Sequence, residues 1–181
     1  MNKNAMLAVD IENLDMEIAA RVAQRFVLKE IYLVDAKISR DPLVVSPETL
    51  SLEHKCSTES LPFDKDKKLS RYLCNFRVAA FNGEESSKLV MKIEASFCTS
   101  YLVKTLPDDS LLDDFDYFMT INPISNAWPY WREFVQSMST RMGFPALTVP
   151  LLEITAKKAA SKKAKSQPAK KVSTRRKKLS A

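Results

Sequence analysis

Residues 72–97 read YLCNFRVAAFNGEESSKLVMKIEASF, and two runs of period two lie within them. Tyr72, Cys74, Phe76, Val78 and Ala80 share one parity, and Leu89, Met91, Ile93, Ala95 and Phe97 share one parity of the second run. Successive side chains of an extended chain point to opposite faces, so each run reads as a strand with one apolar face. Asn82-Gly83 lies between them, a pair that tolerates positive φ, inside a slightly longer polar loop. The stretch predicts a β-hairpin in an antiparallel sheet covered on one side.

The same period extends upstream. From Arg25 to Ile38, the residues Phe26, Leu28, Tyr32, Val34, Ala36 and Ile38 fall on one parity, broken by Glu30. That predicts a long strand ended by Asp41-Pro42, because proline cannot continue the ladder. A further strand is expected from Leu50 to Thr58, with Leu52, His54 and Cys56 on one face. Before these, Leu14, Ile18 and Val22 recur at every fourth position, so residues 11–25 predict a short amphipathic helix. It reads equally well as packed on its own domain or as a partner-binding arm.

Downstream of Pro107 the period becomes helical. Leu111, Leu112, Phe115, Phe118 and Met119 suit a short helix, broken at Pro123. Pro129 is expected to open a second helix, with Tyr130, Phe134, Met138 and Met142 as its stripe, widened by Trp131 and Val135, and Gly143 to stop it. Four strands followed by helices define an α+β fold: a four-stranded antiparallel sheet with helices packed on one face.

Charge divides the chain. The 181 residues carry 28 Lys and Arg against 22 Asp and Glu, a net of +6. Eleven of the basic residues and no acidic one lie from Thr155 onward, which leaves 28 less 11, or 17, against 22 before it: a net of −5. The tail contains Lys157, Lys158, Lys162, Lys163, Lys170 and Lys171, then Arg175, Arg176, Lys177 and Lys178. Nothing apolar there offsets the entropy of ordering, so residues 155–181 are expected to be disordered. Such a tail has the charge to contact phosphates of a nucleic acid, but it lacks an aromatic residue on which a base would stack.

Several functions are excluded by what is missing. Gly83 and Gly143 are the only glycines, so no glycine-rich phosphate loop can be written. His54 is the only histidine, and Cys56, Cys74 and Cys98 form no C-x-x-C pair, so no structural zinc site has its parts, and a nucleophilic triad has one candidate histidine with no local motif around it. These residues read as packing residues on strands. No metal, no cofactor and no enzymatic activity are expected. Free thiols, with neither a signal peptide nor a long apolar run, predict a protein of the reducing cytoplasm without stable membrane insertion.

The stretch Pro129-Tyr130-Trp131-Arg132-Glu133, with Ser137-Met138, Arg141 and Phe144-Pro145 after it, resembles the long-helix signature of the SecB protein-export chaperones. The first strand from Arg25 to Asp35 and the hairpin around Gly83-Glu84-Glu85 are also similar to that family. The resemblance spans residues 24–154, between a helical arm at 1–23 and the basic tail at 155–181. It implies an ATP-independent holdase, a homotetramer built as a dimer of dimers, that keeps unfolded polypeptides or preproteins competent for export. By position, Leu43, Val44, Val45, Leu50 and Leu52 would line its client groove. Phe118, Trp128, Trp131, Phe144 and Leu147 would join them from the helical region.

Two features depart from the family. Glu30 and Asp35 are the positions where the resemblance places a translocase motor, yet Lys92 stands in the fourth strand where an acid is expected. The basic tail is the other. Both fit a SecB-like chaperone dedicated to one client, such as an antitoxin, or one from a phage, about as well as they fit general export. The rivals are a nucleic-acid-binding protein acting through the tail and a scaffold that keeps the fold without holding clients.

Overall fold

A computed structural model describes residues 7–12, 22–44, 50–82, 88–105 and 112–157, with side chains at 22–44, 50–82, 88–105 and 119–152. Its elements are β1 (Leu7–Glu12), β2 (Phe26–Arg40), β3 (Leu50–Ser60), β4 (Leu69–Asn82), β5 (Lys88–Val103), α1 (Leu112–Arg141) and β6 (Leu152–Lys157). The central sheet is antiparallel in the order β2-β5-β4-β3. The hairpin that decides the sequence reading forms its middle, with Phe76 opposite Ala95 and Val78 opposite Ile93. Their burial explains the alternation: Cys74, Val78, Ala80 and Ile93 have no exposed surface.

α1 lies over β3, β4 and β5. Its seam is aromatic. The Phe76 ring stacks on Trp131 at 5.4 Å and 14°, and meets Trp128 edge-on at 5.7 Å and 68°. Phe97 packs edge-on against both Phe76 and Phe134. Such pairs add about 0.5–1.5 kcal/mol each beyond the area they bury. A second buried group, Val22, Phe26, Tyr72, Tyr101, Val103 and Met119, fills the other end of the sheet. There the Tyr101 hydroxyl accepts hydrogen bonds from the Asn126 amide at 2.8 Å and the Asn122 amide at 3.3 Å.

Three expectations are corrected. The two helices are one: α1 runs unbroken for 30 residues through Pro123 and Pro129. Each proline removes one helical hydrogen bond, but Ile124, Ala127, Trp128 and Trp131 are buried around them, and that packing outweighs the loss. The apolar stripe is centred on the residues expected to widen it, with Phe134, Met138 and Met142 partly buried at its margin. Trp131, Val135 and Ser139 face the sheet, while Tyr130 is half exposed. In β2 the register slips between Leu28 and Glu30 and again between Leu33 and Asp35. These two bulges change the parity, so the helix-side row is Phe26, Leu28, Ile31, Leu33, Ala36 and Ile38, and Tyr32 lies on the other face opposite Cys98.

The chain ends differ too. β1 and β6 pair in parallel as a separate two-stranded sheet. Residues 11 and 12, expected to open a helix, are strand, as are residues 155–157, expected to be disordered. Val22 and Ala23 are helical, in line with the expected helix, whose residues 13–21 lie outside the described residues. So do Val45, the hairpin tip at Gly83-Glu84-Glu85, and the tail from Lys158 onward.

Candidate functional site

The candidate site is built around β2, the outermost strand of the sheet. β5 occupies one of its edges and none of the described strands takes the other. α1 stops short of it, so its helix-side row is only partly covered. Leu28, Leu33 and Ile38 are each 40–45% exposed, and Val34, at the second bulge, is 53% exposed. Natural sheets blunt an open edge with brevity, proline, charge or bulges; this strand runs 15 residues without proline, and only its two bulges and charges such as Lys29 and Lys37 protect it. Bare apolar side chains beside unpaired backbone are what an extended polypeptide can bind, through pockets for alternate residues and a ladder of N–H and C=O groups.

One end of this strand is clamped. The Arg40 guanidinium lies 4.7 Å above the centre of the Phe144 ring. Its Nη1 donates to the Met142 carbonyl and its Nη2 to the Val44 carbonyl at 2.8 Å. The end of β2, the loop after it and the C-terminus of α1 are thereby joined by one side chain. The loop is shaped by Asp41, whose carboxylate accepts from the Leu43 N–H and from Lys88 Nζ, both at 2.8 Å. The Lys88 ammonium holds this carboxyl below its ordinary pKa. α1 closes with Gly143 at φ +77°, and its N–H bonds the Thr140 carbonyl while the Phe144 N–H bonds that of Ser139. That pair is a Schellman ending, and glycine suits its left-handed position. A Cβ there would lie 2.9 Å from Arg40 Nη1.

After the helix the chain doubles back along it. Ser139 Oγ accepts from the Leu147 N–H at 2.9 Å, Arg132 Nε donates to the Val149 carbonyl at 2.9 Å, and Trp128 Nε1 donates to the Pro150 carbonyl at 3.0 Å. Three side chains of the helix, the signature residue Arg132 among them, thus fix the segment that leads to β6.

The groove residues read from sequence separate into three groups. Trp128, Trp131 and Phe144 are 1–6% exposed and belong to the core between helix and sheet. Val44, Leu50 and Leu147 pack on the edge of that core. Leu43 and Leu52 are open, at 82% and 39% exposure. Phe118 lies on α1 with its side chain outside the described residues. Sequence reasoning missed the row on β2 as a surface. A signal was present in the Glu30 break, which a bulge would explain.

The opposite face of the sheet is polar. Glu30 and Asp35 lie on it, exposed. The next row reads Lys37, Glu94, Arg77 and Lys55 across the four strands. Lys92 contacts Glu94 at 2.9 Å, and Lys55 contacts Glu53 at 3.0 Å. Asp35, Lys37, Glu94, Arg77 and Lys55, with Ser96 and Asn75, line a shallow depression of about 510 Å³. It has mixed charge rather than an acidic field.

Burial pushes the Cys74 thiol up to about 12, so it stays protonated as a packing group. Burial lowers the pKa of His54, half-buried in β3. Among the described residues no helix is long and apolar enough to cross a membrane.

No protein-family model matches the chain, and no curated protein sequence does. Solved structures do. One is the Mycobacterium tuberculosis Rv1957 SecB-like chaperone, in complex with a ChAD peptide from the Rv1956 HigA1 antitoxin. It aligns with a TM-score of 0.60 at 15% identity, covering 76% of this chain and 98% of that one. Another is a Streptococcus agalactiae protein of unknown function, at a TM-score of 0.38 and 6% identity, covering 70% of this chain and 97% of that one. The chain has a SecB-like α+β fold.

Proposed function

We propose that this protein is an ATP-independent holding chaperone that binds extended, non-native polypeptide. The observation that carries the reading is the half-bare apolar row of β2 beside its open edge. Clients of a holdase share hydrophobicity and little else, which calls for apolar surface next to backbone groups free to pair. The similarity in fold to a chaperone solved with an antitoxin peptide supports it. In this reading the protein is not an enzyme, works in the cytoplasm, and assembles as a homotetramer.

The clients we favour are few and dedicated rather than general export precursors. Asp35 stands beside Lys37, Arg77 and Lys55, a poor field for a motor that docks on acidic residues. The test is suppression of aggregation of a chemically denatured substrate without nucleotide, together with co-purification from the native host. Suppression with a small set of co-purifying polypeptides is expected. A chain that leaves aggregation unchanged refutes the chaperone reading, and a broad set of secretory precursors refutes the dedicated one. Recovery of nucleic acid instead of polypeptide, lost when residues 158–181 are removed, would favour the tail as the functional part.

A further inference from the structure

The parallel pair β1–β6 has no role in the surface described above, and its form is unusual. Parallel strands are normally found in larger sheets covered on both faces, and a sheet of two strands is marginal by itself. Here six residues of each strand pair without a third described strand, from Leu7 opposite Leu152 to Glu12 opposite Lys157. β1 hydrogen-bonds to no other described strand. β6, by contrast, continues from a segment pinned to α1 by Ser139, Arg132 and Trp128. One strand is anchored on the body and the other is laid on it.

We propose that β6 is a strand-addition site for an extended polypeptide of alternating apolar pattern, and that β1 is the chain's own occupant of that site. The proposal deepens the chaperone reading and rests on it. LAVDIE places apolar residues at 7, 9 and 11, and the register sets them opposite 152, 154 and 156 of LEITAK. Directly paired residues of a parallel ladder share a face, so apolar positions match apolar ones while Glu12 pairs in register with Lys157. The segment is therefore a sample of what the site accepts: about six extended residues, alternating, with main-chain groups supplying most of the bonding. Being tethered, it competes at an effective concentration in the millimolar range, so a client must match the pattern well to replace it. Self-occupancy sets a threshold for clients and covers the edge in their absence.

The test uses the full chain with Cys56→Ser, since Cys74 and Cys98 are buried. Val9→Cys with Ile154→Cys places two thiols at paired positions. Neighbouring strands lie about 4.7–4.9 Å apart, within the Cα span of a disulfide. The probe is a fluorescein-labelled peptide of residues 5–14. Oxidation is expected to weaken probe binding at least tenfold and to lower aggregation suppression, and reductant to restore both. Val9→Pro, which removes a ladder donor from β1, is expected to bind the probe more tightly than the unaltered chain. Equal probe binding by the oxidised, reduced and Val9→Pro forms overturns the proposal. A disulfide that joins two chains rather than closing one overturns the assignment of β1 as the occupant within its own chain. If the probe responds to oxidation while no form suppresses aggregation, the strand-addition site stands and the chaperone reading fails. If aggregation is suppressed but neither readout responds, the chaperone reading stands and the site fails.

Discussion

β4 and β2 are strands of 14 and 15 residues with the same alternating chemistry, yet one is core and the other is surface. β4 has a partner on each edge and α1 across its apolar face, so Cys74, Val78 and Ala80 are wholly buried. Among the described elements β2 has one partner strand and is only partly covered by α1, so Leu28, Leu33 and Ile38 stay about two-fifths exposed. Periodicity determines which side chains share a face. Whether that face is covered depends on where a helix far along the chain comes to rest.

The largest expected effect lies on the covered side. Trp131→Ala removes the ring that stacks on Phe76 and should cost about 3–5 kcal/mol in urea unfolding. Less is expected where the two regions are joined. Arg40→Met keeps much of the stem but loses charged hydrogen bonds to the Met142 and Val44 carbonyls, and should cost about 1.5–3 kcal/mol. On the bare strand, Leu33→Ser with Ile38→Ser should cost under about 1 kcal/mol while sharply reducing apolar-dye binding and aggregation suppression. A loss of stability as large as that of Trp131→Ala would mean that β2 is covered in solution, and the contrast between the strands would collapse.

The smallest effect is a pH dependence. Burial holds the folded-state pKa of His54 below its ordinary 6.5, so protonation favours the unfolded chain. The penalty is absent well above pH 6.5 and grows as the pH falls through that value toward the lower folded one. Asp41 and Glu53 are shifted down by their lysine partners, and the stability they contribute is lost only at more acid pH. His54→Gln should therefore flatten the stability profile between about pH 7 and 5, measured by urea midpoints. An unchanged slope would remove His54 from the partly covered face of β3.

The hairpin, the sheet and the end of the helix at Gly143 are legible because each rests on a local signal: parity, a turn pair, a glycine in the left-handed region. Pro123 and Pro129 mislead because helix propensity is weak against the burial of Trp128 and Trp131 between them and just beyond. The bulges of β2 are hard to read, since an added residue leaves no mark except a parity that fails at Glu30. At the site the pattern works in reverse. The tryptophans and Phe144 stand out in the sequence as recognition residues and prove to be core, whereas the modest aliphatics of β2 hold the open surface. The β1–β6 pair is beyond a local reading altogether, because its register joins positions 7 and 152.

The strand order has a consequence for synthesis. β3, β4 and β5 follow one another and can pair as each emerges, but β2 pairs with β5, Phe26 opposite Val103 and Arg40 opposite Met91. On a ribosome adding about 5–20 residues per second, the apolar row of β2 waits several seconds before its partner strand is complete. During that interval the nascent chain displays an unpaired alternating strand to the crowded cytosol. A protein read here as a guardian of such segments is itself, for those seconds, one of the chains that need guarding.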